Sequence, residues 1–227
     1  MKYIIGNWKS NKDMRQTRDW FAGFYKLYTL QKDLLSSSDV KLVICPPFVL
    51  LSLAHGLVRE FKLPVLLGAQ NISPYEEGAF TGEVTAKMVA EIAGFVIIGH
   101  SERREKFGET DDMLFEKVDR ARSAGLTTVY CVQGAETPVP GAADVVAYEP
   151  VWAIGTGKTE SPQKAGEVAS EIKNKNSGRP VIYGGSVKAD NAGSFLQSKN
   201  IDGVLPGGAS LDPESFWKIA LSAVQNK

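Results

Sequence analysis

The chain has 227 residues, 43% of them apolar, which is enough to bury one large α/β core. Lys plus Arg equals Asp plus Glu at 26 each, which excludes a general attraction to nucleic acid or an anionic membrane, so an anionic ligand would need a local site. No apolar run approaches the roughly 18 residues of a membrane span, and the N-terminus has no signal-peptide core. We expect one domain over residues 1–227 in the cytoplasm, with reduced, buried thiols at Cys45 and Cys131.

The dominant pattern along the chain is a short apolar strand, a turn and an amphipathic helix, repeated. Helical spacing is clear in Trp20, Phe21 and Phe24, and good N-caps stand at Thr110 and Ser161. Strands alternating with helices predict a parallel sheet, and periodicity alone fits a closed barrel and a doubly wound open sheet equally. The predicted strands are residues 3–6, 41–45, 65–67, 95–98, 127–132, 145–148, 180–183 and 202–205.

The connection between the fifth and sixth predicted strands is unusually short. Residues 133–144 include Pro138 and Pro140, which oppose a helix, and Gly134 and Gly141, which weaken one. A parallel crossover needs about a dozen residues or more, so the connection is possible. We predict a loop with at most one helical turn, seven long outer helices and one gap. The backs of the two strands would then be covered by neighbouring helices or a partner subunit, or would remain an exposed apolar patch.

Polar residues follow the first and fourth predicted strands, at the sheet edge where α/β proteins build active sites. Asn7 and Lys9 leave the first strand on a Gly6 turn and could face an anion. His100 follows the fourth strand at a predicted helix start, and a helix N-terminus disfavours a positive charge. A neutral imidazole there can donate a hydrogen bond to a substrate oxygen. The other histidine, His55, lies in a helical pattern, and this pattern predicts that His55 is a surface or packing residue.

A carboxylate and two glycine-rich turns follow the last three predicted strands. Glu149 ends the sixth strand before a glycine-containing loop, which suits a general base with a mobile lid behind it. The turns at residues 183–186 and 205–210 can bring backbone N–H groups close to a phosphate. Surface loops and tight turns without any function could have sequences similar to these segments. No single segment is therefore sufficient to predict the function.

Taken together and in this order, these segments resemble the triosephosphate isomerase family. They read GNWK, GHSERR, AYEPVWAIGTGK, YGGSV and PGGASL, and GAQNISPYEEGAFTGE at residues 68–83 matches the family's long interface loop after its third strand. The resemblance runs from residue 3 to about residue 224. It implies an α/β protein with a (β/α)8 TIM barrel, in which the helix between strands five and six is largely missing. It also implies interconversion of glycerone phosphate and D-glyceraldehyde 3-phosphate, a reaction of glycolysis and gluconeogenesis, with no metal or cofactor.

The resemblance further implies roles for the residues that match its motifs. Glu149 would move a proton between C1 and C2 of the substrate, and His100 would polarise the carbonyl and stabilise the enediolate. Lys9 would supply positive charge, Asn7 would help to fix the substrate, and Glu102 would lie beside Lys9 and His100. Substrate and phosphate would be bound by Asn7, Lys9, Gly155, Ser186, Gly207 and Gly208. A water-excluding lid would consist of Val151, Trp152, Ala153, Ile154, Gly155, Thr156, Gly157 and Lys158.

The implied partners are a small phosphorylated triose and a second copy of the chain, with no nucleic acid and no membrane. The expected assembly is a homo-oligomer, most simply a dimer through residues 70–83, which in the family dock beside the partner's active site. Ser10 replaces the family's Met, and Pro206 replaces a Val or Ile before the paired glycines. Three alternatives stay open: an isomerase of a related short-chain sugar phosphate, a non-catalytic phosphate-binding barrel, and an unrelated phosphate-binding barrel of amino-acid biosynthesis.

Overall fold

The computed structural model describes residues 1–36, 39–150 and 159–224. Eight parallel strands in these residues form a closed barrel in chain order, which confirms the predicted (β/α)8 barrel and excludes the open sheet. The last strand pairs with the first through Tyr3 and Gly203, and a Cβ on residue 203 would lie 2.1 Å from the Tyr3 carbonyl oxygen, so closure requires glycine. The predicted strands agree with the observed ones to within two residues at each end. The strands are β1 Lys2–Asn7, β2 Val40–Cys45, β3 Val65–Ala69, β4 Phe95–Ile98, β5 Thr127–Val132, β6 Val145–Tyr148, β7 Val181–Tyr183 and β8 Gly203–Val204.

Helices follow seven of the eight strands and pack around the barrel. The predicted N-caps are present: the Thr110 and Ser161 side chains accept hydrogen bonds from the N–H groups of Met113 and Lys164. The α-helices are α1 Met14–Ser36, α2 Phe48–Glu60, α3 Ala86–Ala90, α4 Ser101–Phe107, α5 Asp111–Ser123, α6 Pro162–Lys175, α7 Ala192–Leu196 and α8 Pro213–Val224, and a 3-10 helix spans Gly208–Leu211.

Two of the outer helices are short, so the prediction of seven long helices was wrong. α3 and α7 have five residues each. Before α3 the chain uses residues 70–84 as a loop, and Thr85 then caps the helix. After α7, oxygens of Ser198 accept hydrogen bonds from the N–H groups of Asn200 and Ile201, which turns the chain towards β8 instead of extending the helix.

The short crossover forms neither helix nor strand, as predicted for residues 133–144. The outer faces of β5 and β6 are nevertheless covered, since Tyr130 and Val146 are both 0% exposed. The cover includes the crossover itself, because Val139 packs against the outer core and Ala143 is buried in it. No exposed patch of large apolar side chains remains on the crossover or on these two strands. Twelve residues without a helix therefore shield the back of the sheet.

Three hydrogen bonds between Asp144 and Thr128 fix the end of the crossover to the start of β5. The Asp144 carboxylate accepts from the Thr128 N–H at 2.8 Å and from the Thr128 hydroxyl at 2.9 Å. The Thr128 hydroxyl oxygen in turn accepts from the Asp144 N–H at 2.8 Å. Thr128 is fully buried, so these bonds satisfy polar groups that would otherwise lie unpaired in the outer core.

The core has two layers, one inside the barrel and one between the barrel and the helices. Both cysteines are free thiols in the inner layer, as expected from the sequence. Burial raises the pKa of Cys45, so the thiolate form is disfavoured in the folded chain. Among the described residues, no helix is long and apolar enough to cross a membrane.

Candidate active site

Lys9 is presented by a strained turn at the end of β1. Trp8 anchors the turn, since its buried indole N–H donates to the Ser210 carbonyl at 3.1 Å. Lys9 itself has a φ of 51°, which is costly for a residue with a Cβ. Two contacts hold it there: the Lys9 N–H donates to Asn7 Oδ1 at 3.0 Å, and Gln70 Nε2 donates to the Lys9 carbonyl at 2.9 Å. Asn7 therefore fixes the backbone from which the lysine side chain extends.

An ion pair joins the lysine on β1 to the helix after β4. Lys9 Nζ lies 2.6 Å from Glu102 Oε1. Partial burial by itself would raise the pKa of Glu102, but the hydrogen bond and charge of Lys9, with smaller contributions from other cations, outweigh it and hold that pKa below its ordinary value. Glu102 is therefore ionised at neutral pH and keeps the ammonium group beside the site.

His100 caps α4 with its ring. Its Nδ1 accepts a hydrogen bond from the Glu102 N–H at 3.2 Å, so this nitrogen carries no proton and the N–H is assigned to Nε2. The preceding Gly99 has a φ of 73°, a conformation that glycine adopts without strain. The residue is 7% exposed, and its Nε2 lies 3.2 Å from Glu149 Oε1. This geometry is compatible with the predicted role of His100 as a hydrogen-bond donor, which stays a prediction.

Glu149 follows β6 and is a carboxylate that is 1% exposed. Its Oε2 accepts from the Ser101 N–H at 2.9 Å, while Oε1 has no hydrogen-bond donor among the described residues despite its contact with His100. A Cβ on Gly184 would lie 2.9 Å from Glu149 Cγ, so glycine makes room for this side chain. Burial and the nearby Glu149 carboxylate both raise the pKa of the Cys131 thiol. A buried carboxylate with one unpaired oxygen is a suitable proton acceptor.

A cavity of about 620 Å³ opens beside these residues at the carboxyl ends of the strands. The two glycine-rich turns meet there because β7 and β8 are neighbours in the barrel. Gly207 lies close to the lysine, since a Cβ on it would be 3.3 Å from Lys9 Cε. Pro206 lacks an N–H, and its carbonyl accepts from the Asn7 N–H at 3.0 Å. The lining includes Asn7, Lys9, His100, Gly184, Gly185, Ser186, Gly207 and Gly208.

The structure brings most of the predicted site residues together. Asn7, Lys9, His100, Ser186, Gly207 and Gly208 line the same cavity. Glu102 contacts Lys9 and His100, and Glu149 lies behind His100 rather than on the cavity wall. Gly155 and the other predicted lid residues, 151–158, lie outside the described residues. No group of three or more His, Cys, Asp or Glu side chains in the described part of the chain is arranged to hold a metal ion.

Three contacts at the site were not predicted from the sequence. Ser101 lies inside the GHSERR motif but supplies a backbone N–H, a contact that no side-chain pattern indicates. Gly184 was interpreted as part of a phosphate turn, whereas its lack of a Cβ also accommodates Glu149. Gln70 bridges Lys9 and Cys45 through one amide group, and only the folded arrangement of the first three strands reveals this contact.

Fold and site together define a (β/α)8-barrel protein in which an imidazole and a lysine line a cavity of about 620 Å³ and a buried carboxylate contacts the imidazole. The triosephosphate isomerase family model matches residues 2–138 and 135–223, so the chain belongs to that family. The triosephosphate isomerase of Halorhodospira halophila is 40% identical, with 99% of this chain and 98% of that protein covered. Those of Alcanivorax borkumensis (40% identical, 97% of both chains covered) and Mesomycoplasma hyopneumoniae strain 7448 (39% identical, 98% and 99% covered) are similarly close.

The alignments also locate what this chain lacks. The comparison with the Halorhodospira halophila protein extends over 258 positions against 227 residues here, so at least 31 positions have no counterpart. The two segments of the family match meet at residues 135–138, inside the crossover between β5 and β6. The division of the family match therefore falls within the crossover in which this chain has no helix.

Proposed function

We propose that this protein is a triosephosphate isomerase that interconverts glycerone phosphate and D-glyceraldehyde 3-phosphate through an enediolate. The observation that carries the proposal is the juxtaposition of three groups, two of them lining one cavity and the third in contact with His100. His100 Nε2 lies 3.2 Å from the Glu149 carboxylate, and the lysine paired with Glu102 at 2.6 Å lines the same cavity as the imidazole. A base, a neutral hydrogen-bond donor and a cation are the groups that proton transfer next to a carbonyl requires.

Glu149 is the proposed base that moves the proton between C1 and C2. In the structure its carboxylate is held by the Ser101 N–H behind the cavity wall, so it must turn towards the cavity to reach a substrate carbon. The hydrogen bond from Ser101 competes with this movement, and the unpaired Oε1 favours it. One side-chain rotation would thus convert the buried arrangement into a reactive one.

His100 and Lys9 are proposed to stabilise the negative charge that develops on the substrate oxygens. The Nε2–H of a neutral imidazole donates a hydrogen bond, and the Glu102 N–H keeps the ring in that tautomer. The ammonium of Lys9 adds a full positive charge, and Glu102 together with Asn7 fixes its position before substrate arrives. Preorganised donors act without the reorganisation that water would need.

The glycine-rich turns are proposed to bind the phosphate. Ser186, Gly207 and Gly208 line the cavity on the side of β7 and β8, and Gly208 begins a 3-10 helix. Backbone N–H groups of such turns can approach an anion closely. Gly155, outside the described residues, is kept as a fourth predicted donor. Binding energy from the phosphate can be used at the reacting carbons, so unphosphorylated substrates should be poor.

The experiment that tests this function is a coupled assay of purified protein in both directions. We expect rapid turnover of the two triose phosphates and very poor turnover of glyceraldehyde without phosphate. Four-carbon sugar phosphates are the matched comparison for a related isomerase and should react much more slowly. Phosphate binding without turnover of any sugar phosphate would instead support the non-catalytic barrel.

We also propose a homodimer through residues 70–83. Tyr75 and Phe80 in this loop are 49% and 42% exposed and stack on each other with ring centroids 4.2 Å apart. At the base of the loop, Gln70 donates a hydrogen bond to the backbone of Lys9. The proposed dimer loop is therefore in direct contact with a residue of the candidate site. A single domain over residues 1–227 and a cytoplasmic location stay predictions, and the two buried, free thiols are compatible with that compartment.

A further inference from the structure

Glu160 lies between two tyrosines that end neighbouring strands of the barrel. The Tyr148 hydroxyl on β6 donates to Glu160 Oε2 at 2.9 Å, and the Glu160 N–H donates to the Tyr183 hydroxyl on β7 at 3.1 Å. Tyr148 and Tyr183 are register partners whose rings meet edge to face at 6.2 Å. Both tyrosines are buried, at 5% and 1% exposure, so their hydroxyl groups have little access to water and need these partners.

Each tyrosine adjoins a different part of the candidate site. Tyr148 directly precedes Glu149, so the position of its ring limits how the end of β6 can move. The Tyr183 hydroxyl lies against the turn that lines the cavity, since a Cβ on Gly185 would be only 2.1 Å from it. Glu160 therefore connects the strand end that carries the proposed base with the turn proposed to bind phosphate.

Neighbouring groups stabilise the Glu160 carboxylate and its hydrogen bond. It directly precedes Ser161, the N-cap of α6, a helix of 14 residues, and a carboxylate near a helix N-terminus is electrostatically favourable. Tyr148 remains a hydrogen-bond donor across the neutral range, because burial and then the Glu160 carboxylate raise the pKa of its phenol. The hydrogen bond spans twelve positions of sequence and so joins the end of β6 to the start of α6.

We propose that Glu160 is a positioning residue for catalysis: through the Tyr148 hydroxyl, its carboxylate holds the end of β6, the backbone from which Glu149 turns towards the cavity. The inference rests on the proposed isomerase function. It gives a role in that function to a residue that does not line the cavity. Glu160 touches no reacting atom, and its effect is on the geometry of the base.

The test compares single and double variants in the isomerase assay. Glu160→Ala and Tyr148→Phe should each lower kcat about tenfold, less than the ~10²-fold that a full 1 Å displacement of a catalytic group can cost, while KM changes by less than about twofold. The double variant should be no slower than either single variant, because both remove the same hydrogen bond. Glu160→Gln should recover most of kcat, because an amide oxygen still accepts from the phenol.

The matched control is Glu167→Ala on the same helix, which removes an exposed carboxylate far along α6 from the tyrosines and should leave kcat unchanged. Circular dichroism and thermal unfolding of every variant separate misfolding from mispositioning. Unchanged kcat in the folded Glu160→Ala and Tyr148→Phe variants would overturn the inference. So would losses that multiply in the double variant, or a Glu160→Gln variant as slow as Glu160→Ala. A wild-type protein without turnover would overturn the proposed function instead. The wild type is assayed first, so the two failures are distinguishable.

Discussion

At the scale of single residues, the site depends on burying a carboxylate where it can still accept a proton. Glu149 is 1% exposed, and its carboxylate accepts a hydrogen bond from the Ser101 N–H. Burying an ionised group is costly unless it is paired, so this arrangement persists only if the surrounding packing holds it. Gly184 contributes to that packing by leaving space against the Glu149 side chain.

Replacing this carboxylate tests its role directly. We expect Glu149→Gln to lower kcat by at least about 10²-fold, the usual scale for a lost general base, while affinity for a phosphorylated ligand persists. Glu149→Asp should also be slow, because withdrawing the carboxylate by one methylene misplaces it by ~1 Å. Steady-state kinetics and ligand titration give the two readouts. Near-normal turnover by Glu149→Gln would remove this residue from the mechanism.

The Lys9–Glu102 pair predicts a pH dependence of stability. Because the pKa of Glu102 is lowered in the folded chain, its ionised form stabilises the fold above the ordinary carboxyl pKa of 4.5. The contribution should be lost as the pH falls through the lowered folded value. The free energy of unfolding in urea should therefore differ between wild type and Glu102→Gln near neutral pH, and the difference should shrink in acid.

The matched background for that measurement is Lys9→Met. Lys9 is the main cause of the lowered pKa, so in its absence the Glu102→Gln substitution should have an effect that depends much less on pH. An equal pH dependence with and without Lys9 would show that another group controls the Glu102 carboxyl.

The predicted residues share a property that explains why they could be found. Asn7 ends β1, and Lys9, His100 and Glu149 each follow a strand end within two residues, so the sequence order of strands and polar residues places them on one rim. Other contacts have no such pattern in the sequence, because backbone groups or residues distant in sequence make them. The hydrogen bond from the Ser101 N–H to Glu149 is an example. The buried position of Glu149 behind the cavity wall was likewise not predictable, because it depends on side-chain packing rather than on strand order.

At the scale of elements, the crossover between β5 and β6 replaces a helix with twelve residues that are fixed at one end by the Thr128–Asp144 pair. We expect Asp144→Ala to lower the free energy of unfolding by about 1–3 kcal/mol, because it leaves the buried Thr128 donors without an acceptor. Activity should be unchanged, since these residues are at the opposite ends of the strands from the cavity. Chemical denaturation and the isomerase assay measure the two effects.

The control for this substitution is Glu136→Ala in the same crossover. Glu136 pairs with Lys175 on the surface and its side chain is 91% exposed, so the loss should be within about 1 kcal/mol. Equal destabilisation by the two variants would show that the crossover has no preferred anchor at Asp144.

Strand positions and the missing helix could be predicted from the sequence, whereas helix lengths were predicted less well. Buried strands are short apolar runs bounded by turns, and two prolines are a direct signal against a helix. The five-residue α3 and α7 carry no such signal, because the loop at residues 70–84 and the turn at Ser198 determine their lengths. The cover over β5 was also unexpected, since packing of Val139 and Ala143 requires the folded path of the loop.

At the scale of the whole molecule, exposed apolar side chains gather at the carboxyl ends of the first three strands. These strands are neighbours in the barrel, so the connections that follow them share one side of the rim. Such side chains are unfavourable in water unless a partner covers them, and a single chain leaves them exposed. They are Met14, Phe48, Val49, Tyr75 and Phe80.

This surface predicts that the protein is a dimer and that its activity depends on the dimer. Light scattering should give twice the chain mass of 24.6 kDa for wild type, and the mass of one chain for Phe80→Asp, because a charge in a buried apolar contact is costly. The monomeric variant should lose most of its kcat, because Gln70 at the base of the loop holds the strained Lys9 backbone and a loop without a partner supports that backbone less firmly.

The control is Leu30→Asp, which changes an exposed apolar residue on α1 and should remain dimeric and active. A wild type that is monomeric and fully active at assay concentration would contradict the prediction, and a monomeric Phe80→Asp with normal kcat would show that assembly and Lys9 geometry are independent.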